Sequence, residues 1–150
     1  MSTGYWSLVE PLWDDISIYD APDVFLRQYA EAPERARLLF AAHWAQSEFM
    51  NGGLGQFFSN PTGVLAPEAV EAFRAMGMRH CADLLAEAMA FFGDPYPRDR
   101  QTREAILERY LEEQGGDAIP LLEQENAMAV HIEEEAGGFD DAADRYAAGG

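Results

Sequence analysis

Apolar residues recur every three to four positions along most of the chain, which is the spacing of one face of an α-helix. Leu38, Ala41, Ala45 and Phe49 illustrate the pattern, since all four project from one side of a predicted helix. The alternation of apolar and polar positions that is typical of a half-buried strand is nearly absent. We therefore predict an all-α fold, a compact single-domain array of about six to eight helices with short Gly/Pro connections. The predicted helices span residues 6–19, 20–30, 33–50, 54–59, 67–92 with a bend or stop at Gly77, 99–114, 117–135 and 139–146.

Turn and capping residues set the boundaries of these helices. Asp20 and Asp117 precede predicted helices and are expected to be their N-caps. The sequence Asn51-Gly52-Gly53 tolerates positive φ angles and is expected to end the third long helix. No repeat or linker divides the chain, so residues 1–150 form one predicted domain, with 147–150 expected to fray. The side chains expected to face the core from 99–114 and 117–135 are Ile106, Leu107, Tyr110, Leu111, Leu121, Leu122, Met128, Ala129 and Ile132.

The charge balance is strongly acidic. The chain has 27 Asp and Glu against 10 basic residues, all of them Arg, for a net charge of −17. Hydrophobic residues still make up 48% of the sequence, which is enough for a folded core. The excess is uneven, because residues 101–150 alone carry 13 acids and 3 Arg. A cationic partner is therefore favoured over an anionic one.

Charge and composition exclude several classes of protein. Such a negative field repels nucleic acid and anionic membrane surfaces, so we expect neither to bind directly. No apolar stretch approaches the length of a membrane span, and the N-terminus lacks the basic and apolar regions of a signal peptide. Cys81 is the only cysteine, which rules out an internal disulfide and fits a reducing compartment. The expected location is the cytoplasm.

Two clusters of acidic residues break local helix rules. Glu104, Glu108 and Glu112 repeat every four residues, which places like charges about 6 Å apart along one helix face. Residues 133–135 are three consecutive Glu at a predicted helix C-terminus, where the macrodipole disfavours negative charge. Rules broken without visible compensation often mark function. The predicted partner-binding residues are Glu104, Glu108, Glu112, Glu113, Glu133, Glu134, Glu135, Asp140, Asp141 and Asp144.

Candidate catalytic chemistry is sparse. The sequence has neither a nucleophile elbow nor a phosphate-binding loop, so we expect no enzymatic activity and no cofactor. The best metal candidate is His131 with Glu134 and Glu135, since positions i, i+3 and i+4 converge on a helix. A small metal-dependent hydrolase is the enzymatic alternative, and it requires at least two of His43, His80 and His131 to converge in space.

One short motif identifies a family. The segment from Asn51 to Asn60 reads Asn-Gly-Gly, Leu, any residue, Gln, two Phe, any residue, Asn. It resembles the signature of a bacterial helical family, first catalogued as a domain of unknown function and associated with a DNA-mimic protein. The resemblance covers roughly residues 30–135, and it rests on Asn51, Gly52, Gly53, Leu54, Gln56, Phe57, Phe58 and Asn60.

The resemblance implies an all-helical fold, a homodimer, and binding to a transcription factor or another DNA-binding protein. From their chemistry, the motif residues are interpreted as scaffold, because the two glycines permit a sharp turn and the two phenylalanines anchor it in the core. The alternative interpretation is a small-molecule pocket lined by Asn51 and Gln56.

The leading functional hypothesis is a non-enzymatic acidic interaction protein, a DNA mimic that occupies a cationic surface. Duplex DNA presents a negative charge about every 1.7 Å of its axis, and a rigid helix bearing regularly spaced carboxylates can compete for the same groove. The alternative in the binding class is an antitoxin or immunity protein that neutralises a basic toxin or nuclease.

Overall fold

The computed structural model describes residues 4–115 and 121–149, and it confirms the all-α prediction. Within these residues the chain forms eight α-helices and two short 3-10 helices, and no strand. The α-helices are α1 (Trp6–Asp15), α2 (Pro22–Ala30), α3 (Glu34–Ser59), α4 (Ala66–Ala75), α5 (Arg79–Ala90), α6 (Arg100–Gln114), α7 (Leu122–Glu134) and α8 (Phe139–Ala147), and the 3-10 helices are Pro61–Leu65 and Glu135–Gly137.

Several boundaries differ from the predicted ones. The first helix ends at Asp15 and not near residue 19. Asp20 is not an N-cap, because α2 begins after Ala21, which forms no side-chain cap; Pro22 at its first position needs no N–H partner. The connection between the predicted helices 54–59 and 67–92 is expected to be a loop, but Pro61–Leu65 forms a 3-10 helix. The predicted cap Asp117 lies outside the described residues, as does position 150 of the segment expected to fray.

The core is built around α3. This helix packs against α1, α4, α6, α7 and α8. Because neighbours surround it, consecutive residues are buried and not only one face: Leu38, Leu39, Phe40, Ala41 and Ala42 are all inaccessible or nearly so. The small alanines let the neighbouring helices approach closely.

The C-terminal third contributes less to the core than its sequence suggests. Met128 and Ile132 of α7 are buried as predicted, but Leu122 is 43% exposed and Ala129 is also exposed. On α6 only Leu107 of the predicted apolar residues is fully buried. These helices therefore lie at the edge of the bundle, where each buries a narrow stripe.

Candidate functional site

The Asn51–Asn60 motif forms the sharp turn that divides α3. Gly52 and Gly53 have non-helical backbone angles, and Gly53 adopts φ +81°, ψ −174°. This conformation is essentially restricted to glycine. The carboxylate of Glu125, on α7, accepts a hydrogen bond from the backbone N–H of Leu54 at 2.9 Å and so caps the second half of the helix. The helix break predicted at 51–53 is confirmed.

The polar side chains of the motif bond to one another. Glu48 Oε2 accepts hydrogen bonds from Asn60 Nδ2 at 2.6 Å and from Gln56 Nε2 at 3.3 Å. Asn51 Nδ2 donates to Gln56 Oε1 at 3.1 Å. With Phe57 and Phe58 buried, these contacts support the scaffold interpretation, because the groups proposed to line a pocket are occupied in holding the turn.

A buried arginine, which no sequence motif singles out, holds α6 against this turn. Arg103 is 0% exposed. Its Nε donates to the carbonyl of Phe58 at 2.8 Å, and one terminal nitrogen donates to the carbonyl of Asn60 at 2.9 Å. The other terminal nitrogen donates to the carbonyls of Arg98 at 2.7 Å and Pro97 at 3.2 Å. Burial lowers the pKa of the Arg103 guanidinium, and the carbonyl oxygens compensate for the lost hydration.

The predicted acidic residues of α6 form a group that we call the α6 ridge, comprising Glu104, Glu108, Glu112 and Glu113. Three of them are exposed, whereas Glu104 is partly buried and pairs with Arg100 at 2.8 Å. A cleft of about 300 Å³ runs beside the ridge, with Glu104 and Glu108 at its edge and Leu107 among its lining residues. The ridge therefore places exposed carboxylates beside a cleft that is partly lined by apolar side chains.

A second acidic group, which we call the α7–α8 corner, comprises Glu133 and Glu134 of α7 and Asp140, Asp141 and Asp144 of α8. All five are exposed. Asp144 accepts a hydrogen bond from the backbone N–H of Tyr5 at 2.8 Å. Asp140 and Asp141 lie in the first turn of α8, where the macrodipole favours negative charge. Helix α6 packs on α3 and the first 3-10 helix, whereas α7 packs on α3, α5 and α8, so the predicted residues form two groups on different helices.

Glu135 differs from the other predicted acids because its side chain is engaged inside the fold and only 10% exposed. Its carboxylate accepts hydrogen bonds from the backbone N–H groups of His80 at 2.7 Å and Cys81 at 3.0 Å. It thereby caps the N-terminus of α5, a favourable place for a negative charge. The crowding of three negative charges expected at residues 133–135 is reduced in this way, since the Glu135 carboxylate lies at the N-terminus of α5 and not at the end of α7.

The environment of Glu135 favours its ionised form. Burial raises the pKa of the carboxyl, but the hydrogen bonds from His80 and Cys81 together outweigh it, and the net shift is downward. A lowered pKa in the folded state means that the cap stabilises the protein at neutral pH and loses this effect as the pH falls through that pKa. Burial, with the nearby Glu135 charge, raises the pKa of the Cys81 thiol, so this cysteine is not an activated nucleophile.

The three histidines fall into two places. His43 Nδ1 lies 2.9 Å from the Tyr5 hydroxyl, and burial lowers the pKa of its imidazole. His80 and His131 lie together, with their rings stacked 4.6 Å apart and nearly parallel. Glu135 joins them, since its Oε2 lies 2.7 Å from His80 Nδ1.

The predicted metal set is therefore altered. Ligand atoms of His80, His131 and Glu135 all lie within 4.8 Å of one another, whereas Glu134 is not part of this group. The convergence of two histidines that the hydrolase alternative requires is met by His80 and His131, and His43 takes no part in it.

Comparison with known proteins identifies the family. None of the helices in residues 4–115 and 121–149 has both the length and the apolar character needed to cross a membrane. No curated protein and no solved structure matches the chain. A family model described as DMP19-like protein matches residues 30–148, from the end of α2 through α8, and includes both acidic surfaces. The chain therefore belongs to the DMP19-like protein family.

Proposed function

We propose that this protein is a non-enzymatic, acidic protein-interaction domain that mimics DNA and binds the cationic surface of a DNA-binding or regulatory protein. Its membership of the DMP19-like family carries the proposal, together with the resemblance of its motif to the DNA-mimic family. A net charge of −17 supplies the long-range attraction for such a partner. Cytoplasmic location follows from this proposal, since bacterial DNA-binding proteins act there.

The α6 ridge offers the charge spacing that a phosphate-binding groove accepts. Glu108 and Glu112 are exposed on adjacent turns of one rigid helix, which spaces their carboxylates about 6 Å apart along its axis. Arginine and lysine side chains that contact DNA phosphates can bind carboxylates by the same charge-assisted hydrogen bonds. A rigid helix loses little backbone entropy on binding, because the spacing of its residues is already fixed, and the main entropic cost is the ordering of the glutamate side chains.

The α7–α8 corner contains a cleft that can accommodate a single basic side chain. A cleft of about 370 Å³ has Glu133, Asp140 and Asp141 among its lining residues, with the buried Ile132 and Phe139 as apolar neighbours. An arginine or lysine has an apolar stem and a charged tip, and this cleft matches both parts. The proposed partner therefore inserts at least one such side chain here.

The test is a quantitative capture experiment with three charge-matched variants. The first replaces Glu108, Glu112 and Glu113 with Gln, and the second replaces Glu133 with Gln and Asp140 and Asp141 with Asn. The control replaces Asp14 and Asp15 with Asn and Glu31 with Gln, which removes the same charge from exposed positions at the end of α1 and just after α2. Each protein is immobilised, incubated with lysate of the source cell at low salt, eluted with a salt gradient, and the eluate is identified by mass spectrometry.

We expect one DNA-binding protein to be captured by the wild type and by the control. The ridge or the corner variant should bind it about tenfold more weakly, equivalent to about 1.4 kcal/mol, because contacts with a desolvated groove are lost. Equal loss in all three variants would mean that only net charge matters. Recovery of a toxin or nuclease would support the immunity-protein alternative instead.

A further inference from the structure

We propose that His80, His131 and Glu135 form a binding site for a divalent transition-metal ion of the zinc type, which joins the start of α5 to the end of α7. This inference does not depend on the proposed DNA mimicry. It rests on three side chains from two distant parts of the chain whose ligand atoms lie within 4.8 Å of one another. Two imidazoles and a carboxylate are a donor set that such ions bind in many proteins.

Glu135 prepares His80 for this role. Its Oε2 accepts from the His80 backbone N–H at 2.7 Å and lies 2.7 Å from His80 Nδ1. In the metal-free protein a hydrogen bond joins these two atoms, and a metal ion would take the place of its proton, with His80 Nδ1 and Glu135 Oε2 as two of the ligand atoms. A carboxylate has about four lone-pair positions, so Glu135 retains capacity to contact the ion directly.

The two rings must move slightly to share one ion. Their planes are only 6° apart. The nitrogen lone pairs of the two rings therefore lie in nearly parallel planes and do not meet at one point. Ligand atoms around a tetrahedral zinc ion are about 3.3 Å apart, given bonds of about 2.0 Å. His80 is 69% exposed and can tilt towards His131 without disturbing the core. The backbone at this position is held by the Glu135 cap, so the movement is confined to the side chain.

The surrounding carboxylates attract cations, and the imidazole ligands determine which metal ions bind. Glu133 and Glu134 are exposed on the same helical end as His131, and they raise the local concentration of positive ions. Imidazole ligands favour zinc, nickel and copper, whereas calcium and magnesium prefer sites built of oxygen atoms. The site is therefore expected to discriminate between these two groups of ions, which a cluster of surface carboxylates does not do.

The experiment is a titration of the purified, metal-free full chain with zinc chloride, followed by calorimetry and by the imidazole signals in NMR spectra. We expect one saturable zinc ion per chain, signal changes at His80 and His131 but not at His43, and a rise in melting temperature with zinc concentration. His80→Ala and His131→Ala should each weaken binding on the order of tenfold or more. Glu134→Gln is the matched control, because Glu134 is adjacent but outside the cluster, and it should keep the saturable, histidine-dependent site with only the small loss of affinity that one fewer exposed charge causes.

Absence of saturable zinc binding would overturn the proposal, as would binding that survives both histidine substitutions. Magnesium chloride at the same concentrations should give no histidine-dependent response. Should His131→Ala perturb folding, His80→Ala decides the matter alone, since that side chain is mostly exposed.

Discussion

Replacing Arg103 with Met is expected to destabilise the protein by about 3–5 kcal/mol, because the change removes a buried guanidinium that donates four hydrogen bonds to backbone carbonyl oxygens. The methionine fills much of the space but donates no hydrogen bond. The carbonyl oxygens of Phe58 and Arg98 lose the guanidinium that contacts them, whereas that of Asn60 keeps a hydrogen bond from the Gly63 N–H. A buried carbonyl that is left unpaired is costly. Thermal unfolding should then occur about 6–20 °C lower than in the wild type for a domain of this size.

Two further variants separate the hydrogen-bonding geometry from charge. Arg103→Lys keeps the positive charge but cannot reproduce a planar group with five donors, so it should also destabilise strongly. Arg109→Met removes a charge from an exposed position of the same helix and should change stability by less than about 0.5 kcal/mol. Urea unfolding of the three variants measures these differences. Comparable stability of Arg103→Met and Arg109→Met would show that the buried guanidinium does not hold the turn.

Gly53→Ala and Gly55→Ala are expected to change stability in opposite directions. At Gly53 the backbone has φ +81°, and an added Cβ would lie 2.2 Å from Glu125 Oε1. The substitution therefore combines backbone strain with displacement of the carboxylate that caps Leu54, and it should cost about 2–4 kcal/mol.

Gly55 provides the matched comparison two residues away. Its added Cβ would meet nothing within 4 Å, and it lies in the helical part of α3 beyond the turn. Alanine there should stabilise the protein by about 0.5–1 kcal/mol, because glycine is the poorer helix former. Chemical denaturation of both variants is the measurement. Equal effects at the two positions would contradict the assignment of Gly53 as the residue that requires a glycine-only conformation.

Local signals are sufficient to predict most of the helices. The helix break is caused by Gly52 and Gly53 themselves, so it can be predicted from the local sequence. Its predicted position is confirmed. The predicted start of the sixth helix at Asp99 is also confirmed, since Asp99 caps the helix by accepting a hydrogen bond from the Thr102 N–H at 3.0 Å. The family match extends the sequence-based resemblance through α8.

The features that could not be predicted from the sequence depend on contacts between residues that are far apart along the chain. Arg103 lies four residues before Leu107 and so shares the buried face of α6; that spacing is the one signal for its burial. The capping of α5 by Glu135 joins residues 55 positions apart, and no periodicity reveals such a pairing. The prediction that Leu122 and Ala129 face the core is wrong, because the sequence does not show how narrow a stripe α7 buries.

The most direct test of the central proposal is a competition between this protein and DNA for one partner. The DNA-binding protein recovered by capture is purified and bound to a fluorescent duplex, and the acidic protein is then titrated in at several salt concentrations. DNA mimicry predicts that the duplex is displaced, and that the ridge or corner variant needs about tenfold more protein while the Asp14, Asp15 and Glu31 control behaves as the wild type. Measured without the duplex, the binding of the acidic protein to its partner should weaken steeply with salt. A stable complex of all three components, or displacement that is the same for every variant, would contradict DNA mimicry.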